Sequence, residues 1–305
     1  MLRKLIILAT LITIASCSPQ PETTEFAVIG YLPHYRMDSV LPTQIQGLTH
    51  LIYFSIDPPA DGIIAEPIAN REHLAKLSSL RESVGCKLLL CVGGWGKSDG
   101  FPQLAADAQA RNRFIETLTE FCETHEFDGV DYDWEHPKDA REMELYRQLV
   151  ADTKTQFTPL NLEVTIAQAS WQDLGKDIYG LVDRIHFMSY DHEYPQATYE
   201  QTKADLENLI AWGCPPEKIA LGLPFYGRNE KREARTYADL IADQETGSET
   251  DIIEGYAHNG PATIQAKTQL AQDQNLAGVM IWEIAQDSRE KETSLLQAIL
   301  QVSKN

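Results

Sequence analysis

The chain has 305 residues, 43% of them hydrophobic, with 15 prolines spread along it, the composition of a globular protein and not of a disordered one. Its formal charge of −19 speaks against nucleic acid or an anionic membrane surface as partner and leaves room for a neutral or cationic ligand. The length suits one large α/β domain or two small ones.

Residues 1–16 stand apart from the rest. Arg3 and Lys4 make a basic start, and the apolar run 5–14 is too short to span a membrane as a mature helix, so the segment reads as an export signal. Its end, Ile14-Ala15-Ser16-Cys17, resembles the lipobox of bacterial lipoproteins. That resemblance implies lipidation of Cys17, a short tether over 17–25, and contact with a membrane through the lipid only. Ser18, where inner-membrane retention would want Asp, implies an outer-membrane or surface location. Of the later cysteines, Cys86 and Cys91 would lie roughly 16 Å apart in an extended strand, too far for a disulfide. Free buried thiols are expected for Cys86, Cys91, Cys122 and Cys214.

From residue 26 onward, short apolar runs alternate with stretches of helical spacing. The runs cover 26–31, 48–56, 87–92, 129–135, 162–167, 182–190, 219–224 and 277–282. Helical spacing falls over 111–124, 138–155 and 202–212, and Pro261 is placed to open a helix to about Gln274. Eight strand–helix units in about 280 residues predict a (β/α)8 TIM barrel, an α/β fold filling 26–305 as a single domain. An open doubly wound sheet is the competing architecture. However, Gly93-Gly94-Trp95-Gly96 lacks the dinucleotide fingerprint and no phosphate-loop motif occurs. Residues 229–260, polar and acidic, read as a loose connection between the seventh and eighth strands.

In such barrels the active site lies at the C-terminal ends of the strands, where the unusual residues gather. Strand one ends in Tyr31 and Tyr35, strand three in Cys91-Val92-Gly93-Gly94-Trp95, and strand five in Gln168. Strand six ends in Met188-Ser189-Tyr190-Asp191, strand seven in Pro224-Phe225-Tyr226-Gly227-Arg228, and strand eight in Trp282. Strand four carries Asp131, Asp133 and Glu135, which period-two alternation puts on one face. Neighbouring acids on that face lie about 6.6 Å apart, so an interior row would not ionise fully. A shared proton is expected between Asp131 and Asp133, with the pKa of Glu135 raised. Acids, aromatics and an arginine on one rim suit a polar ligand with flat apolar faces, such as a sugar.

The set resembles family 18 of the glycoside hydrolases, the chitinase family. Asp128, Asp131, Asp133 and Glu135 fill its D-x-x-D-x-D-x-E motif. A counterpart of S-x-G-G on strand three, M-x-Y-D on strand six, P-x-Y-G-R on strand seven and the tryptophan of strand eight follow in order. The resemblance implies hydrolysis of β-1,4-linked N-acetylglucosamine polymers or oligomers by retaining, substrate-assisted catalysis. Glu135 would be the general acid and base, Asp133 and Tyr190 the acetamide clamp, and Asp131 the keeper of a proton that lets Asp133 turn. Trp282 would floor the site. Tyr31, Tyr35, Trp95, Gln168, Met188, Asp191 and Arg228 would line it. The resemblance allows two alternatives, an enzyme cutting the chitobiose core of N-glycans and a non-catalytic lectin. No cofactor is implied, no spacing suggests a metal site, and a monomer is expected.

Three departures from the family pattern stand out. Cys91 replaces the usual serine, removing a hydroxyl beside Asp131, so more of that work is expected of Tyr31. His136 follows Glu135 where tyrosine is common; it and His34 read as structural or rim residues. Residues 228–277 leave no room for the large α+β insertion of many relatives, so a shallow, open groove is expected.

Overall fold

A computed structural model describes residues 25–64, 68–242 and 250–304; the export segment and Cys17 lie outside that set. The chain first lays down β1 (Ala27–Pro33), β2 (His50–Ile56), α1 (Arg71–Val84) and β3 (Lys87–Gly93). Next come α2 (Phe101–Ala106), α3 (Ala108–His125), β4 (Gly129–Asp133), α4 (Ala140–Phe157), β5 (Glu163–Ala169), α5 (Lys176–Leu181) and β6 (Arg184–Met188). After α6 (Tyr199–Ala211) and β7 (Ile219–Pro224) follow the short strands β8 (Tyr226–Arg228) and β9 (Ala234–Thr236), then α7 (Tyr237–Ile241), β10 (Ile252–Ile253) and β11 (Tyr256–Ala257). α8 (Pro261–Asp273), β12 (Gly278–Trp282) and α9 (Leu295–Ser303) complete the order. Strands β1 to β7 and β12 pair in parallel and close into a barrel. The eight predicted strands are all present, and β12 is the eighth barrel strand.

Helix starts and stops have local causes. Asn70, Asp107, Asp139, Thr198 and Ser294 each cap a helix through a side-chain oxygen, satisfying N–H groups that the first turn leaves unpaired. Gly85, at φ +76°, ends α1 in the left-handed region.

Alternation along the strands splits the interior in two. Outward residues such as Val130, Tyr132 and Trp134 join the large apolar layer between barrel and helices. Phe101 of α2 stacks on Trp134 at 4.9 Å, and the α4 hydroxyl of Tyr146 donates to the Tyr132 carbonyl at 3.0 Å. Inward residues form a smaller cluster of Ala27, Ile29, Tyr31, Ile52, Phe54, Leu89, Cys91, Ala220 and Met280. At the N-terminal mouth His50, Lys87 and Arg184 surround Glu163, with Arg184 Nη1 at 3.3 Å and His50 Nε2 at 3.5 Å.

Residues 229–260 are not the loose connection that their composition suggests. The described part folds β9, α7, β10 and β11 back onto β8 as a four-stranded antiparallel sheet in the order β10-β11-β8-β9. Strands of two or three residues are too short to show a period, which hid them. Cys86, Cys91, Cys122 and Cys214 are free and buried.

Candidate active site

β4 aims its row inward. Asp131 and Asp133 are 0% and 3% exposed, and the strand ends at Asp133, so Glu135 stands just beyond it on the barrel mouth. Two glycines make this approach possible. Gly93, at φ +97°, sits where an added Cβ would lie 2.3 Å from the Asp133 carbonyl oxygen, and the Gly94 N–H donates to that oxygen at 2.7 Å. Ser98 ties the same end: its hydroxyl donates to the Asp133 carbonyl at 3.2 Å and accepts the Glu135 N–H at 3.0 Å.

Asp131 lies deepest. Its Oδ1 accepts the Thr165 hydroxyl at 2.6 Å and faces His186 Nδ1 at 2.9 Å, while Oδ2 accepts the Tyr31 hydroxyl at 2.6 Å. Burial alone would push this carboxyl up. The His186 ring and the bonds from His186, Thr165 and Tyr31 outweigh it and hold Asp131 below its ordinary value. Asp133 goes the other way. Burial first, then the charges of Glu135 and Asp131, push it well above the carboxylate range, and its buried Oδ1 has no partner among the described residues.

The two acids are thus pushed in opposite directions: the partners of Asp131 favour its ionised form, while burial and the neighbouring charges favour the protonated form of Asp133. Cys91, fully buried with its thiol pushed up by burial and by Asp131, stands beside the pair. Tyr31 does carry the work expected of it, but Thr165 and His186 share it. Glu135 is raised to about 7 by burial and then by the charge of Asp191, against a lowering hydrogen bond from the Trp95 backbone.

A second group forms at the ends of β6 and β7. Arg228 grips Asp191 with both prongs, Nε to Oδ1 at 2.5 Å and Nη2 to Oδ2 at 2.8 Å, and the Tyr226 hydroxyl donates to the same Oδ1 at 2.5 Å. Asp191 holds φ +62°. Tyr190 meets Tyr226 edge-on at 6.2 Å, with its hydroxyl pushed far up by burial. Trp282 packs against Phe54 at 4.8 Å and Tyr31 at 5.7 Å over the inner cluster, where Met188 also lies. On the rim, Tyr35 is 63% exposed and Trp95 is 79% exposed.

The structure thus gathers Tyr31, Asp131, Asp133, Glu135, Met188, Tyr190, Asp191, Arg228 and Trp282 about one mouth, with Trp95 and Tyr35 on its edge. Gln168 is the exception. It shares the outward parity of Val164 and Ile166, and its amide donates to the Gln172 carbonyl at 2.6 Å and meets the Tyr179 hydroxyl at 3.2 Å. It braces a loop and does not line the cleft.

Sequence reading missed His186, Thr165 and Ser98. For His186 a signal existed: it shares the inward parity of Met188 and Tyr190. Thr165 needed the β4–β5 register, in which it stands opposite Asp131, and Ser98 needed the loop path.

The sequence pattern of the glycosyl hydrolases family 18 matches residues 27–287. Among curated relatives, the probable chitinase 2 of Drosophila melanogaster is 25% identical over 269 residues, 80% of this chain and 53% of that protein, so the chain spans about half of that relative. Chitinase 1 of Aphanocladium album is 24% identical over 333 residues, 82% of this chain and 78% of that one. The crystal structure of a GH18 chitinase, ChiB, from the chitin utilization locus of Flavobacterium johnsoniae shares 25% identity and superposes with a TM-score of 0.79, covering 92% of this chain and 94% of that one. With the family match running from the first barrel strand past the last, the chain belongs to family 18 of the glycosyl hydrolases.

Proposed function

We propose that the protein hydrolyses β-1,4 bonds between N-acetylglucosamine units of chitin or its oligomers, with retention, using the substrate's own acetamido group as nucleophile. One observation carries the mechanism: among the described residues, the carboxylates beside Glu135 are engaged or pushed toward the neutral form. Burial pushes Asp133 toward keeping a proton, Asp131 is sealed by Tyr31, Thr165 and His186, and Asp191 is gripped by Arg228 and Tyr226. A conventional retaining enzyme needs an ionised partner roughly 5–5.5 Å from the acid, and family 18 is among the exceptions.

The steps then follow. Glu135, protonated near neutrality, gives its proton to the glycosidic oxygen as that bond breaks. The acetamido oxygen of the sugar over Trp282 attacks C1 and closes an oxazolinium ring. The unpartnered Asp133 Oδ1 accepts the acetamido N–H, and the Tyr190 hydroxyl donates to the acetamido oxygen. The fixed charge of Asp131 favours the positive ring above it, worth most in a dry site. Glu135, now ionised, takes a proton from water as the water's oxygen bonds to C1, and the ring reopens.

The test incubates the protein lacking residues 1–17 with N-acetylchitohexaose and, separately, with a high-mannose glycoprotein, products being read by mass spectrometry. Cleavage of the hexamer by wild type but not by Glu135→Gln supports the reading. Glycan release with the hexamer intact moves the substrate to N-glycans, and binding without products leaves a lectin. Anchoring by a lipid on Cys17 is a separate proposal. Partition of the full chain into the detergent phase, lost in Cys17→Ala, is its expected outcome.

A further inference from the structure

One buried amine takes no part in the catalytic steps, yet it holds the loop that carries Asp191. Lys267 of α8 is fully buried, and its Nζ donates to the Ala197 carbonyl at 2.6 Å and to Asn259 Oδ1 at 2.8 Å. The Asn259 amide donates to the same carbonyl at 2.9 Å. A lysine is almost never taken fully out of water without partners. Burial pushes this amine down to about 7, against the charges of Asp251 and Asp205. The ammonium and the neutral amine both have the two N–H groups that these bonds use, so the grip survives titration.

The loop after β6 has reason to be held. Asp191 at φ +62° and Ala197 at φ +51° both sit in the left-handed region, which disfavours any residue with a Cβ. Ala197 is fully buried and Gln196 nearly so. Gln196 Oε1 accepts the Asp191 N–H at 3.0 Å. His192 Nδ1 accepts the Ala197 N–H at 3.3 Å, which leaves Nε2 to donate to Asp205 Oδ2 at 2.9 Å. The Ser189 hydroxyl donates to the same Oδ2 at 2.7 Å. These bonds tie the loop to α6, and the Ala197 carbonyl ties it to α8 and to the segment that leads into α8.

Resting on the chitinase reading, we propose that Lys267 is a positioning residue for the general acid, acting through the loop 191–197 to keep the Asp191 carboxylate in place beside Glu135. Asp191 is the charge that, after burial, holds Glu135 up. Arg228 and Tyr226 grip its carboxylate from β8, but its backbone belongs to the loop, and a left-handed backbone persists only where its surroundings impose it. The other titratable groups that face Glu135 are Asp133, Tyr190 and His136, the last at 3.5 Å. None of them lies in 191–197. Lys267 itself faces Asp205 and Asp251. The sign of the effect identifies the route. Removing a cation that acted through space would raise the pKa of an acid, whereas letting Asp191 drift lowers that of Glu135.

Two readouts separate this role from a structural one. Lys267→Met keeps most of the side-chain volume and deletes the amine. The alkaline limb of kcat/KM for N-acetylchitotetraose then moves down by about half a unit, a loss of about threefold on that limb. The Glu135 carboxyl carbon, followed by NMR and identified by its absence from Glu135→Gln, titrates lower by the same amount. Asn259→Ala removes the other donor to Ala197 and moves both readouts the same way by less; should Lys267→Met fail to fold, this variant decides alone. In an Asp191→Asn background Lys267→Met moves neither. A lower melting temperature with both titrations unchanged, an upward shift, or a shift that persists without the Asp191 charge overturns the proposal. If wild type cleaves no tetramer, the chitinase reading fails, while the carboxyl titration still decides whether Lys267 acts on Glu135 through Asp191.

Discussion

Glu135 is held above its ordinary value by burial and by Asp191, and both rate and stability depend on that. As general acid it must carry a proton, so kcat/KM should fall as pH rises through about 7, and Glu135→Gln should lose about 10²–10⁴-fold at every pH. The stability sign is opposite to that of a salt-bridged acid. A raised carboxyl is at ease while protonated and costs stability as pH climbs from its ordinary range through about 7. Glu135→Gln should therefore melt a few degrees higher than wild type at pH 8 and show a smaller gap at pH 5, by calorimetry. His186 carries a second expectation. Its ring is fully buried against Asp131 and Tyr31, so His186→Phe should lower kcat by about 10–100-fold, from the loss of one hydrogen bond to a charged group, and leave KM nearly unchanged. It should also shift the pH profile. A rise in KM with kcat intact would place His186 against the substrate instead.

At the scale of elements, β4 serves two masters. Its inner face holds the acids and its outer face is pinned to α4 through Tyr132 and Tyr146. Tyr146→Phe removes the bond to the Tyr132 carbonyl and should cost about 1 kcal/mol in urea unfolding, with activity per folded molecule preserved. A large loss of activity at full stability would show that the outer bond positions the acids. This division is legible in the sequence, because alternation along 129–135 separates acids from aromatics and the barrel count settles which face is interior. The parts that stay hidden there depend on register and distance. Thr165 becomes a partner of Asp131 only once β4 and β5 are aligned. Gln168 follows its parity outward although it sits at a strand end where cleft residues gather. The two- and three-residue strands after β7 carry no period to read.

Across the whole molecule the two ends of the barrel use charge differently. At the upper mouth Asp133 and Glu135 are crowded and pushed toward keeping their protons. At the lower mouth Glu163 is surrounded by cations. Burial opposes its charge, but the bond from His50, the charge of Arg184 and the bond from Lys87 together win and hold it far below its ordinary value. A depressed carboxyl contributes stability that is present above its ordinary value and lost as pH falls below about 4.5. Glu163→Gln leaves Arg184 and Lys87 uncompensated, so it should cost about 3 kcal/mol at pH 7, with the gap to wild type closing as pH drops below about 4.5. An equal gap at pH 7 and pH 3.5 would contradict this. The foot of the barrel thus supplies stability at neutral pH while the upper mouth gives some of it up for chemistry.

The central claim is that the substrate, and not a second carboxylate, attacks C1. The direct measurement compares N-acetylchitotetraose with the same tetramer lacking all acetyl groups, at equal concentration, with products followed by mass spectrometry. Substrate assistance predicts cleavage of the acetylated tetramer and none of the deacetylated one, because an amine has no carbonyl oxygen to close the ring. Cleavage of both at similar rates would mean that an enzyme carboxylate is the nucleophile, and Asp133 and Tyr190 would then not be an acetamide clamp.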